Sequence, residues 1–477
     1  MSGQLHIVLV PMIAHGHMIP MLDMAKLFSS RGVKTTIIAT PAFAEPIRKA
    51  RESGHDIGLT TTKFPPKGSS LPDNIRSLDQ VTGDLLPHFF RALELLQEPV
   101  EEIMEDLKPN CLVSDMFLPW TTDSAAKFGI PRLVFHGTSL FARCFSEQMS
   151  IQKPYKNVSS DSEPFVLRGL PHEVSFVRTQ IPDYELQEGG DDAFSKMAKQ
   201  MRDADKKSYG DVINSFEELE SEYADYNKNV FGKKAWHIGP LKLFNNRAEQ
   251  KSSQRGKESA IDDHECLAWL NSKKPNSVVY MCFGSMATFT PAQLHETAVG
   301  LESSGQDFIW VVRNGGKNED WLPQGFEERI KGKGLMIRGW APQVMILDHP
   351  STGAFVTHCG WNSTLEGICA GLPMVTWPVF AEQFYNEKLV TEVLKTGVSV
   401  GNKKWQRVGE GVGSEAVKEA VERVMVGDGA AEMRSRAVYY KEMARKAVEE
   451  GGSSYNNLNA LIQELSAYVP PMKQGLN

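Results

Sequence analysis

Strand-like apolar runs alternate with helical patterns from one end of the chain to the other, which restricts it to parallel α/β architecture. In the first half the runs are Leu5–Val10, Thr35–Thr40, Ile57–Thr62, Cys111–Ser114, Arg132–Phe135, Asp211–Ser215 and Trp236–Gly239. Between the first two, Ile19–Phe28 has helical periodicity. The mixed segment 141–208 gives no clean pattern. Residues 245–262, NNRAEQKSSQRGKESAID, are polar and almost free of large apolar groups, as a linker is. The alternation restarts at Ser277–Phe283, Asp307–Arg313, Leu335–Arg338, Gly353–Thr357 and Met374–Trp377, and helical patterns fill 414–466. A chain of 477 residues exceeds a single ordinary core. The expectation is two doubly wound domains, 1–244 and 263–477, facing across a cleft.

Several function classes drop out on composition. A net charge of -7 offers no basic footprint for nucleic acid. No apolar run approaches the ~20 residues of a membrane span. The six cysteines form no C-x-x-C pair and no secreted-type framework, and they fit a reducing compartment. The start, MSGQLHIVLV, lacks a basic n-region and reads as a first strand. A cytoplasmic monomer is expected.

In open α/β sheets ligands bind beyond the carboxyl ends of strands, where strand order reverses. For the order 3-2-1-4-5 that point lies between strands 1 and 4. In the first domain these strands run into Pro11–His17 and Ser114-Asp115, which brings a histidine and an aspartate to one crevice. A buried carboxylate that fixes a histidine's tautomer makes it a general base. Spacing does not choose between His15 and His17. In the second domain the same rule selects Phe283-Gly284-Ser285 and Thr357-His358-Cys359-Gly360. No G-x-G-x-x-G follows the first strand, which argues against a nicotinamide or flavin enzyme.

The stretch Trp340–Gln383 carries an aromatic face, a His-Cys-Gly turn, a helix start and a closing carboxylate–amide pair. Trp340 could stack on a base, although a lone Trp is more often core. Free N–H groups at Gly360–Ser363 can hold phosphate, with His358, Asn362 and Ser363 as further donors. The spacing Ser363-x-x-Glu366 is also that of a capping box, its commoner use. Glu382 and Gln383 open another helix. Cys359 reads as a small buried residue, and Asp203-Ala-Asp205 as a solvated helix face. No metal site is expected.

Together W-A-P-Q, H-C-G-W-N-S-T-L-E and A-E-Q resemble the signature box of plant family 1 UDP-sugar glycosyltransferases, over all of 340–383. H-G-H-M-I-P, S-D-M-F-L-P-W and C-F-G-S-M-A resemble members of the flavonoid and triterpenoid O-glucosyltransferase group. The resemblance implies the GT-B fold, with the last helix (about 453–466) packing back on the first domain. It implies inverting, metal-independent transfer of glucose from UDP-glucose to a small apolar acceptor, with no cofactor beyond the co-substrate. It assigns His17 as base and Asp115 as its partner. Trp340, Ala341 and Gln343 would hold uracil, and Glu366 the ribose. Ser285, His358, Asn362 and Ser363 would hold the diphosphate, and Trp361, Glu382 and Gln383 the sugar, with Thr138 near sugar and phosphate. The family often has Asp where this chain has Glu382. An epimerase or hydrolase without acceptor, and a non-catalytic binder, are the alternatives. Phe89, Phe90, Phe117, Trp120, Phe135 and Phe141 are expected to line a greasy acceptor pocket, or else to be core.

Overall fold

The structure, a computed structural model, describes residues 4–186, 193–244, 258–313 and 320–470. Seven strands form the first sheet: β1 (His6–Val10), β2 (Lys34–Ala39), β3 (Ile57–Thr61), β4 (Cys111–Asp115), β5 (Arg132–Phe135), β6 (Gly210–Ile213) and β7 (Ala235–His237). Their order is β3-β2-β1-β4-β5-β6-β7, every pair parallel. Helices cover both faces, so the strands need no polar side, and β1, His-Ile-Val-Leu-Val, is buried at every residue.

Six strands form the second sheet: β8 (Val278–Cys282), β9 (Asp307–Val312), β10 (Gly334–Arg338), β11 (Thr352–Thr357), β12 (Met374–Thr376) and β13 (Gly397–Ser399). Their order is β10-β9-β8-β11-β12-β13, again parallel throughout. In both sheets the first and fourth strands are neighbours, as the sequence reading requires. β13 is an addition to that reading. The expected linker falls partly outside the description, since 245–257 lie outside the described residues.

The helix Ser453–Ser466 buries Leu458, Leu461 and Leu465 in the same core cluster as β1 and β4. Its Ser454 hydroxyl donates to the Gly239 carbonyl at 2.5 Å. A second cluster crosses between the halves, where Phe145 and Phe176 meet Tyr385 at ring separations of 6.4 and 5.5 Å. The two halves therefore share apolar contact beside the cleft. Trp361 from the second half donates its indole N–H to the Asn214 carbonyl of the first at 2.8 Å.

Candidate active site

β1 ends at Val10, and after a short turn the helix His15–Ser30 begins. Its first turn carries both histidines, and the fold separates them. His17 Nδ1 meets Asp115 Oδ2 at 2.6 Å, whereas His15 turns toward Asp79, 3.4 Å away, with its ring against Phe43. Asp115, at the end of β4, is wholly buried, and its other oxygen accepts the Phe117 N–H at 3.1 Å. An ionised carboxylate can only accept, so Nδ1 carries the proton and Nε2 keeps its lone pair. No side chain caps the start of this helix, so His17 does not serve as a cap.

Two effects compete at His17. Burial lowers its pKa, but the charge and hydrogen bond of Asp115, with the charge of Glu382, raise it above the usual 6.5. Arg132, itself buried, holds the turn after β4 by donating to the Ser114 hydroxyl, the Thr122 hydroxyl and the Asp115 carbonyl. The sequence reading passed over Arg132, because an arginine opening an apolar strand resembles any strand edge.

On the other side of the cleft β11 runs into His358-Cys359-Gly360 and the helix Trp361–Ala370. Gly360 is the N-cap residue, so Ser363 and Glu366 lie inside the helix and no side-chain cap bond forms there. The capping box is absent. Instead Gln343 Nε2 donates to Ser363 Oγ at 3.3 Å and to Glu366 Oε2 at 2.7 Å, while Tyr280 donates to Gln343 Oε1. Glu366 is thereby held beside Gln343, the first residue of the helix between β10 and β11, three residues after Trp340.

His358 is buried, its Nδ1 has no partner, and desolvation pushes its pKa down to about 4. It stays neutral at pH 7. Two glycines make its slot. A Cβ on Gly284, at φ 68°, would lie 2.6 Å from the ring, and one on Gly360 would lie 2.5 Å from Nε2. Cys359, by contrast, is fully buried with its thiol pKa far above normal through desolvation, so it is packing rather than a nucleophile.

Asn362 reaches across the cleft and donates to the Gly16 carbonyl at 2.6 Å. That carbonyl is free because Pro20, four residues on and inside the helix, has no N–H to return. The H-G-H-M-I-P motif thus creates an acceptor one residue before His17, and the opposite half uses it. Gln383 accepts the N–H groups of Val379 and Phe380 on its Oε1, which orients its amide and leaves the NH2 end to donate. Glu382 Oε1 accepts from Asn386 at 3.2 Å, and burial raises the pKa of Glu382. Asn386 escaped the sequence reading, although its spacing of four from Glu382 on a helix was the available signal.

A cavity of about 1100 Å³ is lined by His17, Thr138, Ser285, Trp340, Ala341, Gln343, His358, Trp361, Asn362, Ser363, Glu366, Glu382 and Gln383 together. Asp115 stands behind His17. Thr138 Oγ1 is buried without a partner. Of the six aromatics expected in a greasy pocket, Phe90 and Phe117 line the cavity. Phe89, Trp120, Phe135 and Phe141 do not; they are buried core. Phe194 and Tyr184, from the segment 141–208 that gives no clean pattern, supply other aromatic surface together with Trp405.

The reading of Asp203-Ala-Asp205 as a solvated face needs correction at Asp205. Among the described residues His136, Asp205 and Asp211 form the group with metal-ligand proximity, within 4.8 Å. Both carboxylates already face cations. Arg143 Nη2 lies 3.2 Å from Asp205, Lys233 lies 2.7 Å from Asp211, and each cation also pairs with the other carboxylate.

Residues 196–437 match the family model described as UDP-glucoronosyl and UDP-glucosyl transferase. The chain is 59% identical to a scopoletin glucosyltransferase of Nicotiana tabacum, over 98% of this chain and 99% of that one. It is 52% identical to an anthocyanin 3'-O-beta-glucosyltransferase of Gentiana triflora, over 98% and 99%. Among solved structures it resembles a Glycyrrhiza uralensis UGT complexed with glycyrrhetinic acid 3-O-monoglucuronide, at TM-score 0.91, 40% identity and coverage of 98% and 96%. A Medicago truncatula UGT complexed with UDP-glucose gives 0.79 and 27%, over 97% and 99%. No helix among the described residues is long and apolar enough to cross a membrane. The two parallel sheets are those of the GT-B fold, and the chain belongs to the UDP-glucoronosyl and UDP-glucosyl transferase family, as a plant-type UDP-glycosyltransferase.

Proposed function

We propose that this enzyme transfers glucose from UDP-glucose to a hydroxyl of a small specialised metabolite, a flavonoid, another phenolic or a triterpenoid, giving a β-O-glucoside. The division of labour follows the two halves, 1–244 for the acceptor and 263–477 for the donor, and we take the working unit to be a cytoplasmic monomer. One observation carries the reading. His17, paired with buried Asp115 at 2.6 Å, opens on the same cavity as the entire set of donor-side residues.

The acceptor hydroxyl would lie between His17 Nε2 and the anomeric carbon. Its proton passes to Nε2 as its oxygen bonds to that carbon. The bond from carbon to diphosphate oxygen breaks on the opposite face, and UDP leaves with the electron pair. Attack from the face opposite UDP inverts the centre. Asp115 stabilises the imidazolium as it forms. The charge growing on the diphosphate is met by Ser285, Ser363, neutral His358 and the N–H groups at the start of the helix Trp361–Ala370. These are neutral donors, so the step is written without a metal. Trp340 and Ala341 would contact uracil, Gln343 would link that contact to Glu366 at the ribose, and Glu382, Gln383 and Trp361 would shape the sugar site. The Trp361 indole N–H is already committed to Asn214, so its share is the ring and backbone.

The relatives named above act, by their names, on scopoletin and an anthocyanin, both phenolic. That supports a phenolic acceptor against Phe90, Phe117 and Phe194. UDP release from UDP-glucose, followed with and without such an acceptor, tests the reading. Transfer predicts release that depends on acceptor and is matched by glucoside; equal release in both arms means a hydrolase.

A further inference from the structure

We infer that Asn386 is a positioning residue for the donor sugar, holding the Glu382 carboxylate and the turn at Cys359 and tying both to the acceptor half. The inference rests on the reading of Glu382 as a sugar ligand. Asn386 is fully buried and its amide is committed at both ends. Nδ2 donates to the Cys359 carbonyl at 2.9 Å and to Glu382 Oε1 at 3.2 Å. Oδ1 accepts from the Ser139 hydroxyl at 3.0 Å. A carbonyl oxygen can only accept, so the amide's orientation is fixed.

Glu382 lines the cavity, and Cys359 and Ser139 each adjoin residues that do, His358 and Gly360 in one case and Thr138 in the other. Cys359 has φ 65°, a left-handed backbone that a non-glycine residue keeps only where its surroundings hold it. This turn sets both the His358 ring and the start of the helix at Trp361. Glu382 has a stem one methylene longer than aspartate, and the bond from Asn386 limits where its carboxylate can swing. Ser139 follows Gly137 and Thr138, and a Cβ on Gly137 would lie 3.5 Å from His17 Cε1. One buried amide therefore stands between the sugar carboxylate, the phosphate turn and the loop beside the base.

The test compares Asn386→Ala and Asn386→Asp with the parent enzyme, titrating UDP alone by calorimetry and measuring turnover with UDP-glucose and UDP-galactose. Losing hydrogen bonds to a charged sugar ligand should cut kcat/KM for UDP-glucose about 10- to 100-fold and narrow its preference over UDP-galactose. The Kd for UDP should rise by less than kcat/KM for UDP-glucose falls, since the Cys359 turn bears on the diphosphate while the uracil and ribose contacts are untouched. In a Glu382→Ala background, Asn386→Ala should cost less than about 3-fold more, because residues acting through one group are not additive. Thermal unfolding is read in parallel. If Asn386→Ala does not fold, Asn386→Ser, which keeps a hydroxyl for one partner, carries the same comparison. Equal losses for UDP and UDP-glucose, or full additivity with Glu382→Ala, overturn the positioning role. Glu382→Ala without effect on sugar preference overturns the sugar-ligand reading, and the inference with it.

Discussion

Asp115→Asn separates the charge behind His17 from its shape. The asparagine oxygen should keep the Phe117 N–H now taken by Asp115 Oδ1, which turns the NH2 toward His17 Nδ1. Nδ1 must then accept, and the ring proton moves to Nε2, the nitrogen needed as base. The imidazolium formed in the transition state also loses a short hydrogen bond to a charge. Such a bond contributes roughly 1.5–3 kcal/mol, and at about 1.4 kcal/mol per decade this is ~10- to 10²-fold in rate. The tautomer penalty should extend the loss in kcat toward ~10³-fold. The pH profile supplies an independent sign. Burial lowers the His17 pKa and Asp115 overrides it, so removing the charge lets burial win. Catalysis needs neutral His17, so the parent's kcat/KM falls as pH drops through a pKa above 6.5, and the variant's acid limb moves to lower pH. The assay is coupled UDP release from pH 5 to 9 with a phenolic acceptor. A kcat within about 3-fold of the parent, or an acid limb that stays put or moves up, refutes the reasoning.

Four further outcomes are expected. Glu382→Gln should shift the same acid limb down by less than Asp115→Asn, because Glu382's charge is the smaller influence on His17. Pro20→Ala returns an N–H that competes with Asn362 for the Gly16 carbonyl, so Tm should rise or hold while kcat falls several-fold; a fall in Tm with kcat intact contradicts this. Gly360→Ala puts a methyl 2.5 Å from His358 Nε2 and should raise KM for UDP-glucose at least about 10-fold, with acceptor KM nearly unchanged. Burial raises Glu387 from its usual 4.5 to about 7, so its stabilising contribution is complete below 4.5 and is lost as pH rises through 7. That gap is on the order of 3 kcal/mol, and Glu387→Gln, whose oxygen can still accept from Thr376 and Ser399, should unfold later than the parent at pH 8.5 but not at pH 5.

What could be read from sequence was what strands and switch points dictate. Buried parallel strands are continuous apolar runs, so β1, β4, β8 and β11 stood out, and their carboxyl ends brought His17 to Asp115 and Ser285 to His358. β13 did not stand out, because Gly397-Val398-Ser399 is three residues with one apolar side chain. Spacing could not decide between His15 and His17; the first turn's rotation, which sends one ring to Asp115 and the other to Asp79, decides it. The helix start at Gly360-Trp361 was legible, but spacing alone could not exclude a capping box at Ser363 and Glu366, which the structure places inside the helix. Contacts between halves were illegible for a further reason. The bonds Asn362–Gly16, Trp361–Asn214 and Asn386–Ser139 join residues 147 to 346 positions apart, and nothing local in the chain announces them. The acceptor side suffers most, since Tyr184 and Phe194 come from helices in a stretch whose pattern is mixed and Trp405 from a loop, while four of the expected aromatics were claimed by the core.

The central claim is that His17 takes the proton of the acceptor hydroxyl. Its most direct test is the rate of glucoside formation by His17→Ala with saturating UDP-glucose and a phenolic acceptor. The predicted result is a kcat lower by ~10²–10⁴-fold, with KM for UDP-glucose within about 2-fold of the parent. A kcat near that of the parent would contradict the account.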